Sequence, residues 1–195
     1  VCRDHVMTAA LPVLTGRRCT LRALHPGDAP AIAQHANDEG VWRNLFDGFP
    51  HPYTLADAQA WCSFGHRDPS VGLVWAITVD DQAIGCCSVM PGSGWLACNA
   101  EVGYWIGRAF WRRGITSEAL ALISDWTLAT MPHITRLHAP IFGWNEGSQA
   151  VARRCGYVLE GRLPVSAIKA GQLIDRVQYA RYRPGVAGTV PTLPA

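Results

Sequence analysis

The segment from Glu101 to Leu120 constrains the fold more than any other stretch of this chain. It reads Glu101-Val102-Gly103-Tyr104-Trp105-Ile106-Gly107, then Arg108-Ala109-Phe110-Trp111-Arg112-Arg113-Gly114-Ile115-Thr116-Ser117-Glu118-Ala119-Leu120. An apolar strand runs through a short basic loop into a helix whose Ala119, Leu120, Ile123 and Trp126 share one side. Units of this kind build sheets with helices packed on their faces. The start of such a helix carries unpaired N–H groups and the positive end of the helix dipole. Gly114 lets the backbone approach an anion, and Arg112 and Arg113 add charge, so the turn predicts a phosphate site. No Gly-Lys-Ser/Thr follows the glycine, so the turn is not a P-loop.

The remaining elements read outward from this unit. Residues 19–24 alternate like a strand, and Pro26 and Asp28 open a helix with Ile32 and Ala36 on its apolar side. Residues 48–52 are irregular, and Thr54 begins a second helix with Asp57 three residues on, as in a capping arrangement. Residues 73–79 and 83–90 form a hairpin around Asp80-Asp81-Gln82. A strand at 99–106, a helix at 117–130 and a strand at 136–141 follow. A helix from Asn145 to Cys155 is closed by Gly156, and residues 157–168 and 173–182 pair around Ala170-Gly171. The order predicts a mixed α/β sheet flanked by helices. Residues 17–184 read as a single domain, with tails at 1–16 and 185–195.

Composition removes several functions. A net charge of +2 without a basic run does not suggest nucleic acid. No stretch of about 18 apolar residues is present, so no membrane span is expected. Residues 1–5 lack the apolar core of a signal peptide. Seven irregularly spaced cysteines with no Cys-x-x-Cys read as reduced thiols of a cytoplasmic protein. Seven scattered histidines form no ligand pair, so no metal is expected. Gly92-Ser93-Gly94-Trp95-Leu96-Ala97 matches a dinucleotide fingerprint in letters, but Pro91 precedes it and a strand follows, so a loop is expected.

Two readings stay open at most candidate residues. Glu101 is either a solvent-facing strand carboxylate or a general base with a pKa raised by burial. Asn145 is a favoured helix N-cap, and Asn145 and Ser148 are also placed to project between the two central strands. Tyr157 reads as core.

The run from Glu101 through Ala119, with Asn145-Glu146-Gly147-Ser148 and Gly156-Tyr157-Val158-Leu159-Glu160-Gly161, resembles the GCN5-related N-acetyltransferases, the GNAT superfamily. The likeness is greatest to the branch that includes the ribosomal-protein acetyltransferases RimJ and RimL, and it spans residues 17–183. It implies a mostly antiparallel sheet in which one splayed parallel strand pair forms an acetyl-CoA cleft. It implies transfer of acetyl from acetyl-CoA to a primary amine, on a peptide N-terminus or a small molecule, by direct attack. The pyrophosphate would lie on Trp111, Arg112, Arg113, Gly114, Ile115, Thr116 and Ser117. The pantetheine arm would pair with the backbone around Trp105 and Ile106, and Asn145 would lie along the cofactor. Glu101 would serve as base and Ser148 as acid.

Three departures from the family pattern stand out. Thr116 replaces a usual Gly or Ala. Ala152 replaces the tyrosine that many members use as an acid. Ser166-Ala167-Ile168-Lys169 lacks the acidic residue of some ribosomal-protein acetylating members. The missing tyrosine keeps a second expectation open, a non-catalytic acyl-CoA-binding module on the same fold. Trp42, Phe46, Phe49 and Tyr53 lie in the early irregular region where the family builds its acceptor pocket; they either line such a pocket or pack the helices onto the sheet, and core is the favoured reading. Eight tryptophans leave room for a buried homodimer interface.

Overall fold

The computed structural model describes residues 11–64 and 72–186. Its strands are β1 (Leu14–Thr15), β2 (Thr20–Ala23), β3 (Leu73–Val79), β4 (Gln82–Pro91), β5 (Asn99–Ile106), β6 (Arg136–Phe142), β7 (Val158–Lys169) and β8 (Gln172–Tyr182). Its helices are α1 (Ala29–Ala36), α2 (Glu39–Trp42), α3 (Leu55–Phe64), α4 (Ile115–Thr130) and α5 (Glu146–Arg154). The strands form one sheet in the order β1-β2-β3-β4-β5-β6-β8-β7. Every neighbouring pair is antiparallel except β5 with β6. The expected mixed, mostly antiparallel sheet with helices on its faces is therefore present.

Helices cover both faces, so the central strands are apolar on both sides, as their unbroken Val/Ile/Ala/Cys runs require. On one face Trp75, Ile84 and Val89 pack with Ile115, Leu120 and Ile123 of α4. On the other, Val74, Ala76 and Cys86 pack with Ile32 of α1 and Ala58 of α3. Burying each large side chain contributes roughly 1.5–3 kcal/mol. Trp75 is fully buried, lies edge-on to Trp126 at 5.3 Å, and donates its indole N–H to the Pro12 carbonyl at 2.9 Å. Tyr157 is core, as expected, and its hydroxyl lies 2.8 Å from that of Ser124.

Local signals map onto local structure. Asp80-Asp81 and Ala170-Gly171 all have positive φ, the conformation of two-residue turns that match the sheet twist. Asp57 accepts from the Thr54 N–H at 2.8 Å, and Thr54 Oγ1 accepts from the Asp57 N–H at 3.2 Å, which is the expected capping arrangement. The differences are short or non-local. Pro26–Asp28 is one 3-10 turn that runs into α1. The turn expected at Asp80-Asp81-Gln82 is two residues long, and Gln82 already pairs with Val79. Helix α2 lies between the first helix and the irregular residues 48–52, where no element is expected. Strand β1 lies within the stretch expected as a tail, and Leu11 and Leu14 pack on the core. Helix α4 starts at Ile115, two residues earlier than expected, because the left-handed Gly114 hands the chain straight into it. Residues 1–10 and 187–195 lie outside the described residues.

Among the described residues, all six cysteines are free and no His, Cys, Asp or Glu cluster could hold a metal. No described helix is long and apolar enough to cross a membrane.

Candidate active site

β5 and β6 pair at Asn99↔Arg136, Ala100↔Leu137 and Glu101↔His138, and then part. β5 keeps its partner β4 as far as Gly85↔Ile106, and β6 keeps β8 as far as Phe142↔Arg176. A fork therefore opens just beyond Glu101. The sequence contains a cause. The Gly143 N–H donates to the Asp175 carbonyl at 2.8 Å, so alternation turns the backbone of odd β6 positions toward β8 and of even positions toward β5. The next rung would need an N–H at residue 140 to reach the Val102 carbonyl. Residue 140 is proline and has none.

The same alternation assigns the backbone of β5. The Gly107 N–H donates to the Ile84 carbonyl at 2.8 Å, so Glu101, Gly103 and Trp105 turn their peptide groups toward β4. Tyr104 and Ile106 turn theirs into the fork. The Ile106 carbonyl accepts the Trp111 indole N–H at 2.9 Å. The groups left facing the gap are the Val102 C=O, whose rung Pro140 removes, the Tyr104 N–H and C=O, and the Ile106 N–H. Trp105 therefore contributes its ring rather than its backbone, and that ring lies edge-on to Phe49 at 5.6 Å.

Glu101 projects to the α1–α3 face, at the base of the fork. It lines a cavity of about 420 Å³ with Met90, Leu96, Asn99, His138 and Gln178. Burial raises its carboxyl above the usual carboxylate range, and the Arg176 guanidinium opposes that rise. Burial also lowers His138 to about 4, helped by Arg136 and opposed by Glu160, so its imidazole is neutral at pH 7. Arg136 is held by Glu160 and by Asn99 Oδ1, with its Nε 2.8 Å from Glu160 Oε1. Its charge is thus paired within the sheet. Of the two readings of Glu101, the freely solvent-facing one does not hold.

Ser148 and Asn145 lie on the opposite face. Asn145 Oδ1 accepts the Ser148 N–H at 3.0 Å, so the N-cap reading of Asn145 is realised. The Ser148 hydroxyl lies 2.9 Å from the Tyr104 hydroxyl, which also donates to the Ser148 carbonyl at 3.2 Å. The sequence reading missed Tyr104. Its place on the even-numbered face of β5, pointing at the helix that carries Ser148, is the signal that could have found it.

At the open end, Gly114 (φ +78°) caps α4 and borders a cavity of about 580 Å³. Arg112, Arg113 and Ser117 line this cavity with Arg18 and Arg154. The buried Ser117 hydroxyl has no hydrogen-bond partner among the described residues. Arg112 is left-handed at φ +62°, a conformation that costs a non-glycine residue roughly 1–2 kcal/mol. Ile115 is buried in the core, and Thr116 is half-buried in the first helical turn. Trp111 spans from the loop to the fork. Glu101 and Ser148 flank the two faces of β5, with the loop beyond its end. The Gly92 run instead makes a 3-10 turn followed by a strand, so no helix stands there to hold a dinucleotide.

The aromatics of the early region divide. Tyr53 is core, and Phe49 packs on it at 4.8 Å. Phe46 is 68% exposed. Trp42 stacks on His51 at 5.1 Å, and Lys169 Nζ lies 4.0 Å from its ring centroid.

The sequence matches the acetyltransferase (GNAT) domain family over residues 18–158. No curated protein matches it. Several solved structures share its fold. The microcin C7 self-immunity acetyltransferase MccE, in complex with acetyl-CoA and AMP, is 20% identical with a TM-score of 0.75, over 86% of this chain and 93% of that one. RimJ of Mycobacterium smegmatis, in complex with CoA-disulfide, is 21% identical with a TM-score of 0.77, over 92% and 91%. RimL, a ribosomal L7/L12 alpha-N-protein acetyltransferase in complex with coenzyme A, is 22% identical with a TM-score of 0.75, over 88% and 98%.

Proposed function

Because this chain belongs to the GNAT acetyltransferase family, we propose that it transfers acetyl from acetyl-CoA to a primary amine, on a peptide N-terminus or a small molecule. We place it with the RimJ/RimL-like branch. The observation that carries the reading is the fork itself. It has a half-buried carboxylate at its base, free backbone groups along one arm and an arginine-lined cavity at its open end. The unpartnered Ser117 hydroxyl and the unpaired peptide groups of Tyr104 and Ile106 fit a phosphorylated, amide-bearing chain.

Acetyl-CoA supplies an acyl carbon already activated by its thioester. Tyr104 and Ile106 pair with the pantetheine amides as an added strand would. The Tyr104 N–H, nearer to Glu101 than that of Ile106, faces the carbonyl oxygen on which charge develops. Glu101 takes the proton of the attacking amine, directly or through a water, and its raised pKa makes it a better acceptor. As N–C bonding forms and C–S bonding breaks, Ser148 gives a proton to the departing sulfur. The stretch Ser166–Lys169 carries no acid: Ser166 donates to the Leu163 carbonyl, and Lys169 pairs with Asp47 at 3.1 Å. Lys169 thereby ties the hairpin to the loop after α2, on the side the acceptor approaches.

Pro140→Val restores the missing N–H. It is expected to let β5 and β6 zip further, raising thermal stability and weakening acetyl-CoA binding by up to about tenfold, since one rung is worth roughly 0.5–1.5 kcal/mol. Calorimetric titration with a melting curve checks both. Unchanged affinity and melting would mean that something other than the proline holds the strands apart.

The function is tested by incubating the protein with acetyl-CoA and a panel of amines and peptides, with mass spectrometry of the products. Arg113→Glu is expected to weaken acetyl-CoA binding roughly tenfold to a hundredfold, as loss of charged hydrogen bonds does. Binding without any turnover across the panel would favour the non-catalytic module.

A further inference from the structure

The cavity at the open end carries more positive charge than the phosphate turn requires. Four guanidiniums line it, from Arg18, Arg112, Arg113 and Arg154, against the single carboxylate of Glu118. That carboxylate is already engaged. It accepts the backbone N–H groups of Arg17 at 3.0 Å, Arg18 at 2.6 Å and Cys19 at 3.1 Å. The Arg18 side chain comes no closer to it than 3.8 Å. Among the described residues Arg154 has no side-chain hydrogen bond or ion pair.

These arginines come from three separate elements. Arg112 and Arg113 belong to the turn before α4. Arg18 belongs to the turn between β1 and β2, which the three bonds to Glu118 pin beside the start of α4. The Arg18 side chain thereby reaches within van der Waals distance of where a Cβ on Gly114 would stand. Arg154 ends α5, where a cation also suits the helix dipole. The strained φ of Arg112 places a charged residue where the backbone favours glycine, which points to use of its charge.

Resting on the acetyl-CoA reading above, we infer that Arg18 and Arg154 form a second phosphate subsite that recognises the 3′-phosphate of CoA. Arg112, Arg113 and the α4 turn hold the pyrophosphate. A phosphate monoester carries about −1.5 to −2 charge at pH 7, which can be matched by the Arg154 guanidinium, unpaired among the described residues, and the Arg18 guanidinium, whose carboxylate contact is the long one to Glu118 at 3.8 Å. The donor specificity is therefore for 3′-phosphorylated CoA over its dephospho form. Glu118 is a positioning residue: it touches no phosphate and fixes the turn that presents Arg18.

Calorimetric titration of the wild type with CoA and with dephospho-CoA tests this directly, with no turnover needed. Dephospho-CoA should bind roughly ten to a hundred times more weakly, from the loss of one or two charge-assisted contacts. In the Arg18→Ala/Arg154→Ala double variant, CoA affinity should fall to near that of dephospho-CoA, while dephospho-CoA affinity changes little. Added salt should weaken CoA binding more steeply than dephospho-CoA binding in the wild type only. Equal wild-type affinities would overturn the subsite. So would a double variant that lowers the melting temperature yet keeps the preference, since Arg154 would then only complement its helix. If neither ligand binds the wild type, the acetyl-CoA reading itself fails. If both bind equally, that reading stands and only the 3′-phosphate subsite falls.

Discussion

Glu101→Gln is expected to lower kcat about a hundredfold to a thousandfold, the usual range for losing a positioned base, with little change in acetyl-CoA affinity. The side chain sits at the last paired position of the β5–β6 fork, on the face away from Ser148 and Tyr104. The amine must lose a proton as it attacks, and glutamine, of the same size, cannot take one. His138 lies opposite in register but offers little replacement, because its pKa of about 4 makes it a poor proton acceptor. The sign of the pH dependence follows. Burial raises the Glu101 pKa, so the active carboxylate forms only as pH rises through a value above the ordinary carboxylate range. Activity should therefore climb with pH along a limb that Glu101→Gln removes. Arg176→Ala takes away the opposing positive charge and should move that limb to higher pH. A kcat–pH profile, followed by release of the CoA thiol, reads both effects. An unchanged profile in the glutamine variant would remove Glu101 from the chemistry.

The contrast between what was legible and what was not follows the range of the interactions. The 101–120 unit declared itself because its strand, left-handed glycine and amphipathic helix are encoded within twenty consecutive positions. The Thr54–Asp57 cap and the Ala170–Gly171 turn were legible for the same reason. β1 was not, since two residues carry no period, and its evidence is the distant burial of Leu14 against the core. The pairing of Glu118 with residues 17–19 spans about a hundred positions and leaves no local trace. The backbone direction at Trp105 depends on which β4 residue lies opposite, and a sequence does not fix register of that kind. Pro140 was visible throughout. Its meaning appeared only once β6 was seen to turn residue 140 toward β5.

Ser148→Ala and Tyr104→Phe should separate the acid from its support. The tyrosine that many family members place at the position of Ala152 is missing, yet a phenol still reaches this face, from β5. Tyr104 is half-buried, and burial raises its pKa, so it holds its proton at neutral pH. In the resting arrangement the Tyr104 proton points to the Ser148 carbonyl and the Ser148 proton to the phenol. For Ser148 to protonate sulfur its hydroxyl must turn, and Tyr104 can then donate to the vacated Oγ lone pair. Ser148→Ala should lower kcat about a hundredfold, within the range for a lost general acid. Tyr104→Phe keeps the ring in the core and removes only the partner of the serine, so a drop of roughly tenfold is expected, the cost of one hydrogen bond. The double variant should be no slower than Ser148→Ala alone, because a support without its acid has nothing left to do. Acetyl-CoA affinity should be unchanged in all three, and Ser148→Thr should recover part of the rate. The CoA thiol departs increasingly well as thiolate once the pH exceeds its own pKa. The Ser148→Ala defect should therefore shrink as pH rises past it. A defect constant across that range would assign Ser148 and Tyr104 to holding the mouth of α5 against β5, with no part in the proton transfer.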